Sequence, residues 1–273
     1  MKRLIILPLL LLTLSLGATR VYVATTGNDG TGDGTSGNPY LTIATGIANA
    51  LAGDTVFVRA GTYNVSTQIV LPVQVSLMGV GETTIITSAN ALNPILVLIS
   101  ASEGTDGSQS ISYLKFDGAD TTVTKAISVI ARSNVDIHDC TFIHFYEQAV
   151  SYSGRVSGDG EPTTYATGNE FYNNTLINCA RDAWSVEYSF YGASGAFEIS
   201  GQEGILVHDN YIDNITGGRH GYGIKSVSND GYTHGLKIYN NEIYINGRQV
   251  IGSWNFAIEL WTQRGGIEIY NNR

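Results

Sequence analysis

Charge is scarce in this chain: Asp, Glu, Lys and Arg make up only 14% of 273 residues. Hydrophobic residues supply 43%, and so few charges beside so much apolar content exclude a disordered chain. Basic residues are in the minority, 15 against 24 acidic ones, and a net charge of −9 gives no footprint for nucleic acid. The same sign would repel a polyanionic glycan unless a local basic cleft or bound cations offset it. Proline is limited to five residues and cysteine to two, Cys140 and Cys179. After the first twenty residues no apolar run is long enough to span a membrane.

The N-terminus does have an apolar run, but it is short. Lys2 and Arg3 precede an apolar stretch from Leu4 to Leu16, followed by Gly17, Ala18 and Thr19. This is the layout of a secretory signal peptide. As a helix the stretch reaches about 20 Å at ~1.5 Å per residue, short of the ~30 Å hydrocarbon core. Residues 1–18 are therefore read as a cleaved leader, and residues 19–273 as one exported domain, secreted or held at the cell surface.

What the chain has in abundance is repetition. Val135-Asp-Ile137-His-Asp-Cys140-Thr-Phe142 is followed by Glu170-Phe171-Tyr-Asn-Asn174-Thr-Leu176 and then by Ile205-Leu-Val207-His-Asp-Asn210-Tyr-Ile212. The pattern returns as Leu236-Lys-Ile238-Tyr-Asn-Asn241-Glu-Ile243 and Ile267-Glu-Ile269-Tyr-Asn-Asn272, with a weaker early copy at Ile111-Ser-Tyr-Leu114-Lys-Phe116. Ile137, Phe171, Val207, Ile238 and Ile269 recur at steps of 34, 36, 31 and 31 residues, which is the signature of a solenoid. Each copy alternates apolar and polar residues over short segments rich in Ile, Val, Tyr and Phe, bounded by Gly, Asn and Asp. Helical spacing is absent, so α-helical repeats are excluded. About three strands and three turns fit in each step, and stacked coils pair every strand with its counterparts above and below.

Two consequences follow from that register. Asn174, Asn210, Asn241 and Asn272 form one column, in which inward amides would bond along the stack and satisfy buried backbone groups. Cys140 occupies the same column, whereas Cys179 lies five residues beyond Asn174. That offset is too large for the ~5.5 Å Cα separation of a disulfide without a sharp turn, so two separate buried thiols are expected.

The opening segment is more specific. Val21-Tyr-Val23, Gly27-Asn-Asp-Gly30, Gly37-Asn-Pro-Tyr40-Leu-Thr-Ile43, Ala52-Gly-Asp-Thr-Val56-Phe-Val58 and Gly61-Thr-Tyr63 resemble the start of secreted right-handed β-helix proteins. That superfamily includes pectate-lyase-like carbohydrate-active proteins. The expected fold is all-β, a right-handed parallel β-helix (solenoid) with a short N-terminal capping helix. Ile43, Ile47, Ala50 and Leu51 would form the helix face that plugs the stack. The chain ends inside a repeat, which is read as a C-terminal truncation of the coil stack.

A second strand in each repeat suggests a site. With Ile127, Val150, Val186, Ile224 and Ile258 inward, the outward row is Ser128, Ser151, Glu187, Lys225 and Glu259. Trp261 follows on the same face and is the one tryptophan that reads as outward. Glu187, Lys225 and Glu259 are the catalytic candidates. The two carboxylates would lie two coils or about 9.6 Å apart, near the upper end for an inverting glycosidase. A lyase would instead use Lys225 or an arginine as base. The same alternation also reads as a surface ion-pair ladder, since each charge spoils its neighbour as a catalyst. Arg181, Asp182, Arg219 and His220 precede that strand, where the arginines could hold a sugar carboxylate and His220 could act as acid or base. Asp29 and Asp33, with Asn38, sit in the Gly-rich loop 27–39 and offer hard oxygen ligands for Ca²⁺, although turn chemistry alone also explains them.

The resemblance implies an extracellular polysaccharide-binding or carbohydrate-active protein, acting as a lyase or glycoside hydrolase and read as a monomer. A non-catalytic, adhesin-type β-helix scaffold is the alternative. The Asn-Thr-Asp element and adjacent Asp pair of polygalacturonase-like enzymes are not present.

Overall fold

The computed structural model describes residues 19–119, 123–180, 194–214, 221–245, 255–261 and 263–273. The leader read at residues 1–18 lies outside them. Among the described residues no helix is long and apolar enough to cross a membrane.

Strands of two to eight residues alternate with turns, because short β-branched and aromatic runs are interrupted by Gly, Asn and Asp. Each full coil lays down a strand in a nine-stranded first sheet, then one in a seven-stranded second sheet, then one in a seven-stranded third sheet. Pairing between coils is parallel in all three sheets. The product is a right-handed parallel β-helix. Its inward column on the first sheet runs Val21, Val56, Leu77, Ile111, Ile137, Phe171, Val207, Ile238 and Ile269. Val207 sits between Phe171 and Ile238, as the repeat predicts. Rings extend the stacking inside, with Phe116 on Phe142 at 5.4 Å and Phe171 on Phe197 at 4.2 Å.

The turn from first to second sheet explains the paired Asn and Asp residues. The first of each pair adopts a left-handed conformation, with φ of 53–55° at Asp139, Asn173, Asp209, Asn240 and Asn271. Asn and Asp tolerate that region better than other L-residues, because their short polar side chains bond locally. The second member turns inward. Asn210 Oδ1 accepts from the backbone N–H of Asn174 at 3.0 Å, and its Nδ2 donates to the Phe171 carbonyl at 3.0 Å and to Asn241 Oδ1 at 2.9 Å. The same contacts continue to Asn272 and begin at Cys140, whose N–H donates to Asn174 Oδ1 at 3.0 Å. Replacing Asn210 by Ala leaves several of these groups buried without partners and is expected to lower stability by about 2–3 kcal/mol. A urea midpoint unchanged from wild type would contradict that role.

Both cysteines are free and buried, and burial pushes each thiol up to about 12. Cys179 belongs to the next turn of the coil, where its N–H donates to Asn214 Oδ1 at 3.0 Å.

Helix α1 (Ile43–Ala48) closes the N-terminal end. Thr42 caps it by accepting from the Thr45 N–H, and Ile43 and Ile47 are buried against the first two strands. Leu51, expected on the same face, lies beyond the helix end and is 62% exposed.

The third sheet corrects one register. Val150 pairs with Phe197, not with Val186, so the outward row reads Ser128, Ser151, Glu198, Lys225 and Glu259. The step from Val150 to Phe197 is 47 residues, where the neighbouring steps are 23 and 27. Part of the excess is a loop, residues 154–165, laid across neighbouring coils. Arg155 N–H donates to Glu103 at 2.8 Å, and Glu161 pairs with His234 at 3.0 Å and Arg264 at 3.3 Å.

Candidate functional site

Of the residues singled out in sequence, Glu187, Arg181, Asp182, Arg219 and His220 lie outside the described residues. Lys225 and Glu259 do come together, with Lys225 Nζ 3.5 Å from Glu259 Oε2 and 5.3 Å from the Tyr222 ring centroid. Lys225 is 5% and Glu259 8% exposed, so this is a covered ion pair and not the surface ladder expected. Two charges that neutralise each other beneath the surface are poor candidates for contact with a polymer. Trp261, 36% exposed, stands just past the end of that strand.

Asp29 accepts from the Leu41 and Thr42 N–H groups at 2.7 and 3.0 Å and from the Thr42 hydroxyl at 2.8 Å. Asp33 accepts from the Thr35 N–H at 2.9 Å. These carboxylates organise the loop and the entry to α1, which is turn chemistry. Among the described residues no group of three His, Cys, Asp or Glu side chains could hold a metal ion.

The outer face of the first sheet presents a different arrangement. One outward column runs Ser110, Asp136, Glu170, Leu206, Lys237 and Glu268 up successive coils. Next to it runs Ser112, His138, Tyr172, His208, Tyr239 and Tyr270. A polar groove of about 460 Å³ opens over the first column, lined by Ser76, Ser110, Asn134, Asp136, Gly168 and Glu170 among others. Small side chains create the recess. Gly168 is required there: its φ is 66°, and a Cβ would lie 2.2 Å from Asn134 Oδ1. The strand Arg132–His138 carries an irregularity between Ser133 and Val135, with Asn134 at φ 54°. Such bulges re-aim side chains at the edge of a site.

The second column is a stack. His138, Tyr172, His208, Tyr239 and Tyr270 lie ring on ring, with centroids 4.9, 5.2, 4.6 and 5.0 Å apart and planes within 7° of parallel. Ring faces are used against one another, so edges and phenolic hydroxyls face outward. The turn residues fix the imidazoles. His138 Nδ1 is 2.7 Å from Asp139 Oδ2, and His208 Nδ1 is 2.7 Å from Asp209 Oδ2. That orientation brings His208 Nε2 to 3.9 Å from Glu170 Oε2.

Asp136 and Glu170 are a like-charge pair on adjacent coils. Burial, and then the charge of Glu170, raise the Asp136 pKa above its ordinary value, with His138 opposing. No hydrogen bond from a described residue reaches the Asp136 carboxylate. A carboxyl group whose pKa is held up beside a second carboxylate is an arrangement from which acid–base pairs are built. A raised folded-state pKa means that ionisation of Asp136 opposes folding. Its contribution is intact below the unfolded value of about 3.9 and is lost as pH rises through the folded value. Asp136→Asn is therefore expected to melt above wild type at pH 7, with the advantage gone near pH 3. A lower melting temperature at pH 7 would contradict the assignment.

Sequence reading passed over these residues because each belongs to the structural repeat. The signal was present in it: Val135-Asp-Ile137-His-Asp and Ile205-Leu-Val207-His-Asp place His-Asp at the same outward position.

Comparison with solved structures agrees with the fold. The chain is similar to XylC in complex with xylose, with a TM-score of 0.57, 11% identity, and coverage of 93% of this chain and 65% of that one. It is similar to the GH136 lacto-N-biosidase from Eubacterium ramulus, at TM-score 0.51 and 12% identity over 93% of this chain and 55% of that one. It is also similar to a mutant pectin methylesterase in complex with a hexasaccharide, at 0.50 and 12% over 86% and 80%. The chain thus spans less than two thirds of the length of the first two. No curated protein matches it. Residues 25–263 match the family model described as protein of unknown function DUF1565, and over that span the chain belongs to the DUF1565 family.

Proposed function

We propose that this protein binds a polysaccharide along the outer face of its first sheet and hydrolyses it, with Asp136 as general acid and Glu170 as the second carboxylate. The observation that carries the reading is the pair itself: two half-buried carboxylates in the floor of an open polar groove, one with its pKa raised. Strands of adjacent coils are about 4.8 Å apart. Carboxyl groups projecting from them in parallel suit the ~5–5.5 Å spacing at which the second carboxylate attacks the sugar directly. The wider two-coil spacing anticipated on the third sheet would have favoured a water between them.

Three further features support a saccharide ligand. Ser76, Ser110 and Asn134 offer hydroxyl and amide groups along the groove, and the stacked Tyr172, Tyr239 and Tyr270 add phenolic hydroxyls on the same face. The similar folds solved with xylose or a hexasaccharide, and a lacto-N-biosidase, handle sugars, an analogy of fold alone. A polysaccharide substrate also fits the export that the leader at residues 1–18 predicts.

The test is release of new reducing ends from a panel of polysaccharides. Wild type is expected to release them, and Ser110→Trp, which fills the groove beside Asp136 while leaving both carboxylates in the chain, is expected to abolish both release and binding. Binding without new ends, blocked by the same substitution, would reduce the site to a binding surface. Activity unaffected by Ser110→Trp would place the site elsewhere.

A further inference from the structure

We infer that the sugars seated over Asp136 and Glu170 are uncharged, so that the ligand is a neutral glycan and not a polyuronate; this rests on the groove reading above. The argument is one of charge in a confined space. The groove lining contains Asp136 and Glu170 and no Lys or Arg. Asp106 adds a third acidic group at its margin, held by Ser108 and Asn134 at 2.8 and 2.9 Å.

Among the described residues the nearby cations are all engaged. Arg132 lies behind the groove but is 2% exposed, and its guanidinium donates to Ser100, Leu71, Gln109 and Ile99 at 2.7–3.0 Å. Lys237, two coils from Glu170 in the same column, is 2.9 Å from Glu268. His138 and His208 each face an Asp at 2.7 Å, so protonating either ring forms an internal ion pair and exposes no net positive charge.

A uronate carboxylate in this groove would meet the Glu170 charge, and Asp106 at the margin, with no Lys or Arg in the lining to offset them. At ~5 Å and an effective dielectric of 20–80, such an approach weakens binding by roughly fourfold to a few hundredfold. A cationic amino sugar is disfavoured for a different reason. An ammonium beside Asp136 would favour its ionised form and remove the proton that cleavage needs. Hydroxyl-rich neutral sugars meet neither objection, and the serines, Asn134 and the tyrosine hydroxyls can all bond them.

The experiment is calorimetric binding of a neutral xylo- or cello-hexasaccharide and of hexagalacturonate to the whole chain, with and without added Ca²⁺, at low and high salt. A neutral hexasaccharide is expected to bind at least about tenfold more tightly than hexagalacturonate. Any residual uronate binding should strengthen with salt, because screening relieves repulsion. Hexagalacturonate binding as tightly as the neutral probe, or weakening with salt, overturns the inference and leaves the groove reading intact, provided Ser110→Trp blocks it. A hexaglucosamine cleaved faster than the neutral probes overturns it equally. Binding of no probe, or binding insensitive to Ser110→Trp, overturns the groove reading itself.

Discussion

Asp136→Asn is expected to lower the rate of glycan cleavage by about 10²–10⁴-fold, the usual contribution of a positioned acid or base. The amide keeps the shape of the carboxyl group but cannot donate its proton to a leaving oxygen. KM should change little, because the groove wall is preserved. Glu170→Gln should lose a comparable factor, and the double variant should lose little more than either single one, since the two act as a unit. The pH profile separates chemistry from packing. Burial and the Glu170 charge hold the Asp136 pKa up, so the alkaline limb of activity should reflect that raised value. Removing the Glu170 charge should move the alkaline limb of the residual activity towards lower pH. A purely structural role for Asp136 would leave the limb unmoved. Full activity in Asp136→Asn would remove the residue from the mechanism.

Arg132→Met is expected to be the most destabilising substitution away from the groove, at about 3–5 kcal/mol. The side chain is 2% exposed, and no carboxylate among the described residues faces it. Its N–H groups are matched to the carbonyls of Leu71 and Ile99, the Ser100 hydroxyl and the Gln109 amide oxygen. These acceptors come from different coils, so the guanidinium fork ties the stack together where the chain passes from third to first sheet. Methionine retains much of the volume and supplies no donor, leaving the oxygens buried and unpaired. Lysine would not rescue it fully, because a single ammonium cannot reproduce the planar fork. Denaturant midpoints measured by circular dichroism give the comparison. A shift below about 1 kcal/mol would mean that water replaces these bonds.

How much of this was legible in the sequence differs between scaffold and site. The apolar column through Ile137, Phe171, Val207, Ile238 and Ile269 and the Asn column were readable because burial imposes the same demand on every coil. The third sheet was not, because its spacing is set by loops. A 47-residue step between Val150 and Phe197 breaks the period, and Glu198 takes the place assigned to Glu187. Strand alternation placed Lys225 and Glu259 on the outward row, yet says nothing about what covers that face, and both are buried. Asp136, Glu170 and His208 were hidden in another way. Their residue types looked like the polar half of a structural repeat, and only the stacking of adjacent coils makes Asp136 and Glu170 neighbours. Asp209 serves both purposes at once, adopting the left-handed turn and orienting His208.

Hydrogen exchange followed by mass spectrometry, with and without a saturating neutral oligosaccharide, addresses the location of the site most directly. Protection is expected at Ser108–Ser110, Asn134–Asp136 and Gly168–Glu170, three segments far apart in sequence that meet only in the groove. Protection at Lys225 and Glu259–Trp261 with none at those segments would contradict the account and move the site to the third sheet.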